Sequence, residues 1–254
     1  MSAASSRRTL VTGASGPLGL ELVRQSLMRG DRVYAACRNP ARVPMLADLR
    51  AQYGGLELLA LDPADPSMVA DVVPVLESLT ETLDLLVLGP AEPGPHDRAT
   101  QLARDEDFST LSGTGLTEHY RRHAVAPLLL VRTLLPWLAH GDGARILVVS
   151  SVRGTLAARR QGGGYATSAS AAGLHMLTRA LAYDLRDEGI VVCLGNPGRY
   201  AESPNDDQAP VPIEDAALGL LMQTDRLPRD RSGAFVDWTG AERERGTGSP
   251  VSPE

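Results

Sequence analysis

Short apolar runs alternate along this chain with longer stretches in which apolar positions recur every three or four residues. The short runs predict strands around Leu10 and Val11 and at residues 32–37, 56–61, 83–88, 144–150, 190–194 and 234–237. The longer stretches predict helices at 17–29, 40–53, 67–79, 117–140, 165–187 and 213–224. Gly30, Gly54-Gly55 and Gly189 stand where three of these segments stop. The run LDLLVL at 83–88 is apolar throughout its end, as a strand covered on both faces must be. Strands and helices that alternate in this way form an α/β fold, since a crossover helix between parallel strands is almost always right-handed. The expectation is a Rossmann-type doubly wound parallel sheet of about seven strands with helices on both faces. Residues 1–240 are expected to make one domain, with 241–254, charged and then rich in Gly, Ser and Pro, as a disordered tail. Residues 89–115 and 196–212 have no periodicity and are expected to shape a substrate pocket.

Ligands in such sheets bind beyond the carboxyl ends of the strands. The first of those ends carries TLVTGASGPLG at 9–19, with glycines at 13, 16 and 19. Such glycines allow a sharp turn, a close approach of backbone to phosphate, and tight packing of helix on sheet. Pro17 suits the first turn of the helix, whose unpaired N–H groups and dipole favour an anion. Gly13, Ser15, Gly16, Leu18 and Gly19 are therefore candidate cofactor-binding residues. An ordinary glycine-rich turn reads the same way in isolation, so the other strand ends have to decide.

Arg38 directly follows the second predicted strand, where an acid would favour a free ribose 2′-hydroxyl and an arginine accepts a 2′-phosphate. That favours NADP(H) over NAD(H); a solvated surface arginine is the competing reading. Asp62 ends the third strand and can accept from an adenine amine, or can simply serve a turn. Ser151 ends the fifth strand, and Tyr165 opens the helix after it. A phenol beside a hydroxyl can protonate a carbonyl oxygen while hydride reaches its carbon.

Composition narrows the field further. A net charge of −6 over 254 residues excludes general nucleic-acid binding, which needs a basic face. No apolar run is long enough to span a bilayer, and the polar, basic first eight residues are no signal peptide, so the expected setting is cytoplasmic. Cys37 and Cys193 lie in strand-like contexts and are expected to be buried thiols. All 25 basic residues are arginine, so no lysine ammonium can serve any site. No metal site is expected.

The ordered segments TGASGPLG, RNPAR, LALDPADP, APLLLVRTLLPWL, ARILVVSSVRGTL, GGGYATSASAAGLHMLTRALAYDLRDEGIVV, NPG and GAFVDWTG resemble a short-chain dehydrogenase/reductase, most similar to its C-factor-like members. The resemblance runs from about Thr9 to Trp238. It implies an NADP(H)-dependent oxidoreductase that reduces a carbonyl compound, with Ser151 and Tyr165 catalytic. It places the adenine-contacting aspartate on Asp62, the nicotinamide-side Pro-Gly on Pro197 and Gly198, and the end of the fourth strand on Gly89. It also exposes departures. The lysine of the family's YxxxK motif falls on Ala169, its asparagine on His123, and its NNAG reads Leu88–Ala91, LGPA. With no cation near it a tyrosine keeps a pKa of about 10, which hampers alcohol oxidation more than carbonyl reduction. His123 is a candidate acid or base, or a space-filling substitute. The alternatives are a non-redox enzyme on the same scaffold (a dehydratase, isomerase or cyclase) and a non-catalytic binding protein, with the cofactor absent or structural. The resemblance further implies a homodimer or homotetramer through helices 117–140 and 165–187, with a small-molecule substrate and no nucleic-acid or membrane partner.

Overall fold

Seven strands lie side by side in the order β3-β2-β1-β4-β5-β6-β7, every neighbouring pair parallel. The computed structural model describes residues 6–90, 107–141, 143–200 and 210–243. The strands are β1 Arg8–Thr12, β2 Arg32–Cys37, β3 Leu56–Ala60, β4 Leu85–Leu88, β5 Arg145–Val149, β6 Val191–Asn196 and β7 Phe235–Asp237. The helices are α1 Pro17–Met28, α2 Pro44–Gln52, α3 Pro66–Leu79, α4 Gly113–Tyr120, α5 Ala126–Ala139, α6 Tyr165–Asp184 and α7 Ile213–Arg226.

The sheet is covered on both faces, which explains its continuous apolar runs: Leu85, Leu86 and Val87 are entirely buried. One face packs Leu10, Leu86, Ile146 and Val192 under α3, α5 and α6 residues such as Leu76, Leu134 and Leu174. The other packs Val11, Leu85, Leu147 and Cys193 against Leu22 of α1 and Leu220 of α7. The expected Rossmann-type doubly wound sheet is the observed architecture. Cys37 on β2 and Cys193 on β6 are both buried, with three strands between them, too far to pair. Among the described residues no helix is long and apolar enough to cross a membrane.

Two predicted helices differ in detail. The segment predicted as one helix at 40–53 is a 3-10 turn, Pro40–Arg42, followed by α2; Pro44 supplies the start. The helix predicted at 117–140 begins earlier, at Gly113, capped by the Ser112 hydroxyl accepting from the Gly115 N–H at 2.9 Å. It runs through a π-helical turn at Arg121–Val125 into α5. Such turns widen a helix locally and concentrate at functional sites; His123 lies in this one. Residues 91–106 and 201–209, within the segments expected to shape the pocket, and most of the expected tail (244–254) lie outside the described residues.

Candidate active site

The strand order reverses between β1 and β4, and the segments that follow these two strands meet closely just beyond their carboxyl ends. Gly13 has φ +65°, and a Cβ on it would stand 2.6 Å from the Pro90 carbonyl oxygen. A Cβ on Gly89 would stand 2.2 Å from the Thr12 carbonyl oxygen, and one on Gly19 2.0 Å from that of Gly13. Real Cβ atoms do not approach backbone so closely, so all three positions need glycine. The Thr12 hydroxyl ties the junction by accepting from the Gly89 N–H at 3.1 Å. Gly16 is the N-cap of α1 with no side-chain cap, and Pro17 occupies the first turn. The α1 N-terminus therefore meets the cleft with its N–H groups left for an outside acceptor. Leu18 has its side chain wholly in the core, so it can offer only backbone, whereas Ser15 is exposed. This is the cradle a dinucleotide pyrophosphate needs, and the residues fit one.

Beside the cradle, Arg38 is exposed at the end of β2. Next to it burial pushes the Cys37 thiol pKa up. Asp62 is not the open acceptor the sequence suggests. One of its oxygens accepts from the Ala64 N–H at 2.9 Å and the other from Arg122 at 3.1 Å. A ligand amine reaching this carboxylate has to share it with that arginine, which the π turn carries.

A cavity of about 1140 Å³ continues from the glycine junction between β5, α6, the π turn and the segment after β6. Ser151, His123, Gly89, Pro197 and Gly198 all line it. The Ser151 oxygen accepts from the Arg153 N–H at 3.2 Å, which sets the hydroxyl at the start of a 3-10 turn. Gly198 has φ +76°, a left-handed turn that re-aims the chain after Pro197. The imidazole of His123 stacks on His119 with centroids 4.1 Å apart, and His119 Nδ1 lies 2.8 Å from the Ser170 oxygen. Burial, then the neighbouring His119 and Arg122, push the His123 pKa down to about 3. The ring therefore stays neutral at physiological pH. Of the acid or base role expected for it, the acid form needs an imidazolium, which this burial disfavours.

A depressed histidine pKa also sets a pH dependence. The unfolded chain takes up a proton on His123 below its ordinary value near 6.5, while the folded chain resists until about 3. Stability from this group is complete above pH 6.5 and is lost progressively as pH falls toward 3. His123→Asn is expected to lessen the fall in Tm between pH 7 and pH 4, checked by thermal melts of both proteins.

Tyr165 is not among the residues that line the cavity. Its ring packs 6.1 Å from that of Phe108. The reason is helical phase. Gly164, Thr167, Ser168, Ala171 and Leu174 line the cavity, the three- and four-residue spacing of one face of α6. Tyr165 and Ala169 fall on the outward stripe that continues through Met176, 71% exposed, and Tyr183, 53% exposed. The i, i+4 pair facing the cavity is thus Thr167 and Ala171, not Tyr165 and Ala169. The sequence points to Tyr165 through its place at the start of the helix and through the family resemblance. The signal that could have placed the face is the buried series Ala166, Ser170, Leu174, Thr178 and Ala182. Among the described lining residues, the one phenol is that of Tyr200.

The model of the short chain dehydrogenase family matches residues 7–209. This chain belongs to that family. Within the family, C-signal of Myxococcus xanthus is 35% identical over 138 residues, which cover 54% of this chain and 80% of that protein. Solved structures share the fold over nearly the whole chain. The NADPH-bound carbonyl reductase from chicken fatty liver superposes with a TM-score of 0.81 at 27% identity, covering 94% of this chain and 99% of that one. A carbonyl reductase from Pseudomonas aeruginosa in complex with NADP gives a TM-score of 0.77 at 25% identity, covering 94% and 99%. The fold is that of carbonyl reductases of this family.

Proposed function

We propose that this protein binds NADP(H) across the β1–β4 junction and reduces a carbonyl compound in the adjoining cavity. The observation that carries the reading is the junction itself. Three glycines there admit no Cβ, the α1 N-terminus has no side-chain cap, and the cavity that adjoins the junction at Gly89 and Pro90 also holds Ser151, Pro197 and Gly198. Two structural relatives with this fold hold NADPH or NADP. In this reading the amides at 13–19 hold the pyrophosphate, Arg38 holds the 2′-phosphate, and Asp62 borders the adenine while remaining paired to Arg122. The nicotinamide supplies hydride when bound. Ser151 donates its hydroxyl hydrogen to the carbonyl oxygen and so orients it. Thr167 places a second hydroxyl on the facing helix, and the phenol on the described lining, that of Tyr200, would supply the proton that the oxygen takes up as hydride reaches the carbon. No ammonium supports either group, so turnover is slow.

Arginine binds phosphate through paired, charge-assisted hydrogen bonds, each contributing about 1.5–3 kcal/mol. Arg38→Ala is accordingly expected to weaken NADPH at least tenfold and leave NADH unchanged, measured by fluorescence titration with both cofactors. The function itself is tested by following NADPH absorbance with a panel of aldehydes and ketones. Slow consumption that requires a carbonyl compound is expected. Bound NADPH that is never consumed across the panel overturns the redox reading.

That outcome would favour a second reading, a non-redox enzyme or a binding protein with a structural cofactor. It is supported by one feature: the i, i+4 pair of α6 that faces the cavity, Thr167 and Ala171, carries neither a phenol nor an ammonium. We place a homodimer interface on the outward stripe of α6, with Met176 and Tyr183, and on the exposed Leu129 of α5.

A further inference from the structure

Four arginines line the cavity: Arg153, Arg159, Arg160 and Arg199. No aspartate or glutamate stands among the described lining residues. That is unusual for a chain whose 31 acids outnumber its 25 arginines. Elsewhere arginines are matched, as in Arg8 with Asp84, Arg24 with Glu21, Arg122 with Asp62 and Arg243 with Asp237. In the cavity Arg159 instead donates to the Ser168 oxygen at 2.8 Å and to the Gly163 carbonyl, and Arg160 to the Arg159 carbonyl at 2.9 Å. Neither these two nor Arg153 forms an ion pair among the described residues.

The N-terminus of α6 adds to this positive field. Gly164 caps the helix in a left-handed conformation, φ 62°, with no side-chain cap and no acid in the first turn. Gly164, Thr167 and Ser168 of that end lie on the cavity wall. A 20-residue helix contributes about half a positive charge there. The rest of the wall combines polar groups such as His123, Ser151 and Asn196 with an apolar stretch that includes Leu88, Pro127, Val152 and Leu174. A ligand that matches both parts has an apolar stem and an anionic head.

We infer that the cavity selects a carbonyl compound bearing a carboxylate, an oxo acid, with the guanidinium groups of Arg153 and Arg159 and the α6 N-terminus receiving the carboxylate. This deepens the reading above, on which the identity of the reacting carbonyl rests; the carboxylate site itself requires no cofactor. Arginine suits the task because its planar fork pairs both carboxylate oxygens. The same charges discriminate against neutral esters, which leave the guanidinium groups unmatched.

The test is calorimetric titration of the full chain, without cofactor, using 7-oxooctanoate and its methyl ester. The acid is expected to bind at least tenfold more tightly than the ester. Raising NaCl from about 0.05 M to about 0.5 M is expected to reduce that preference severalfold, because salt screens charge. Arg153→Gln is expected to weaken the acid at least threefold with the ester unchanged. Arg159→Gln is expected to do the same, but it also loosens the loop at Gly163, so Arg153 gives the cleaner variant. Equal binding of acid and ester by the unaltered protein overturns the inference, as does acid affinity that neither substitution changes. Since no nicotinamide is present, such a failure leaves the cofactor reading intact. Failure of NADPH to bind would likewise leave the carboxylate result standing.

Discussion

Gly19→Ala is expected to weaken NADPH binding at least 100-fold, equivalent to about 2.7 kcal/mol. The added Cβ would stand 2.0 Å from the Gly13 carbonyl oxygen and 2.7 Å from its carbonyl carbon. Both are backbone atoms, so no rotamer change relieves the overlap. Either α1 moves away from the loop or the loop at Gly13 shifts. Gly13 is itself confined by its positive φ and by Pro90. Moving either one withdraws the helix N-terminus from the pyrophosphate. Overpacking of this kind costs folding about 1–3 kcal/mol, so the melt is read alongside the titration. Gly54→Ala is the control, because nothing lies within 4 Å of its Cβ position. It is expected to change neither melting nor NADPH affinity. Normal NADPH binding by Gly19→Ala would mean that the cofactor does not lie against the α1 N-terminus.

Thr167→Tyr combined with Ala171→Lys is expected to raise kcat/KM for NADPH-dependent carbonyl reduction about 100-fold, the lower range for a placed general acid. These two positions lie on the α6 face that lines the cavity, one turn apart. A lysine there faces the phenol and lowers its pKa, which a chain without lysine cannot otherwise do. Ala169→Lys restores the family's YxxxK spelling in the sequence, yet it points along the exposed stripe with Tyr165. It is expected to change the rate by less than twofold. Tyr165→Phe is expected to be equally quiet. A rate gain from Ala169→Lys and none from the 167/171 pair would reverse the phase of the helix. The comparison therefore tests the register of α6 directly.

The fold was legible in the sequence because buried parallel strands are apolar on both faces. LDLLVL and ARILVVS need no partner information to be recognised, and right-handed crossovers then leave few topologies. The glycine junction was legible for a related reason. Gly13, Gly19 and Gly89 are glycines because backbone passes where a Cβ would be, a requirement that leaves a direct mark on sequence. Side-chain chemistry leaves a weaker mark. Tyr165 carries the right functional group, but a helix turns 100° per residue, and a two-residue shift in phase moved it from the cavity to the outside. Asp62 could be placed at a strand end, but its pairing with Arg122 depends on a π turn 60 residues away. His123 could be placed in the site, whereas its neutral state follows from burial and the stacked His119, neither of which periodicity encodes. The arginine-lined cavity is likewise spread over Arg153, Arg159, Arg160 and Arg199. It becomes a site only when β5, α6 and the segment after β6 converge.

We place NADP(H) at the β1–β4 junction. The most direct measurement is an equilibrium titration of the full chain with NADPH, followed by cofactor fluorescence, beside the same titration with NADH. Saturable one-to-one binding of NADPH in the micromolar range, at least tenfold tighter than NADH, is the predicted result. No saturable NADPH binding up to millimolar concentration, from a protein that melts cooperatively, would contradict it.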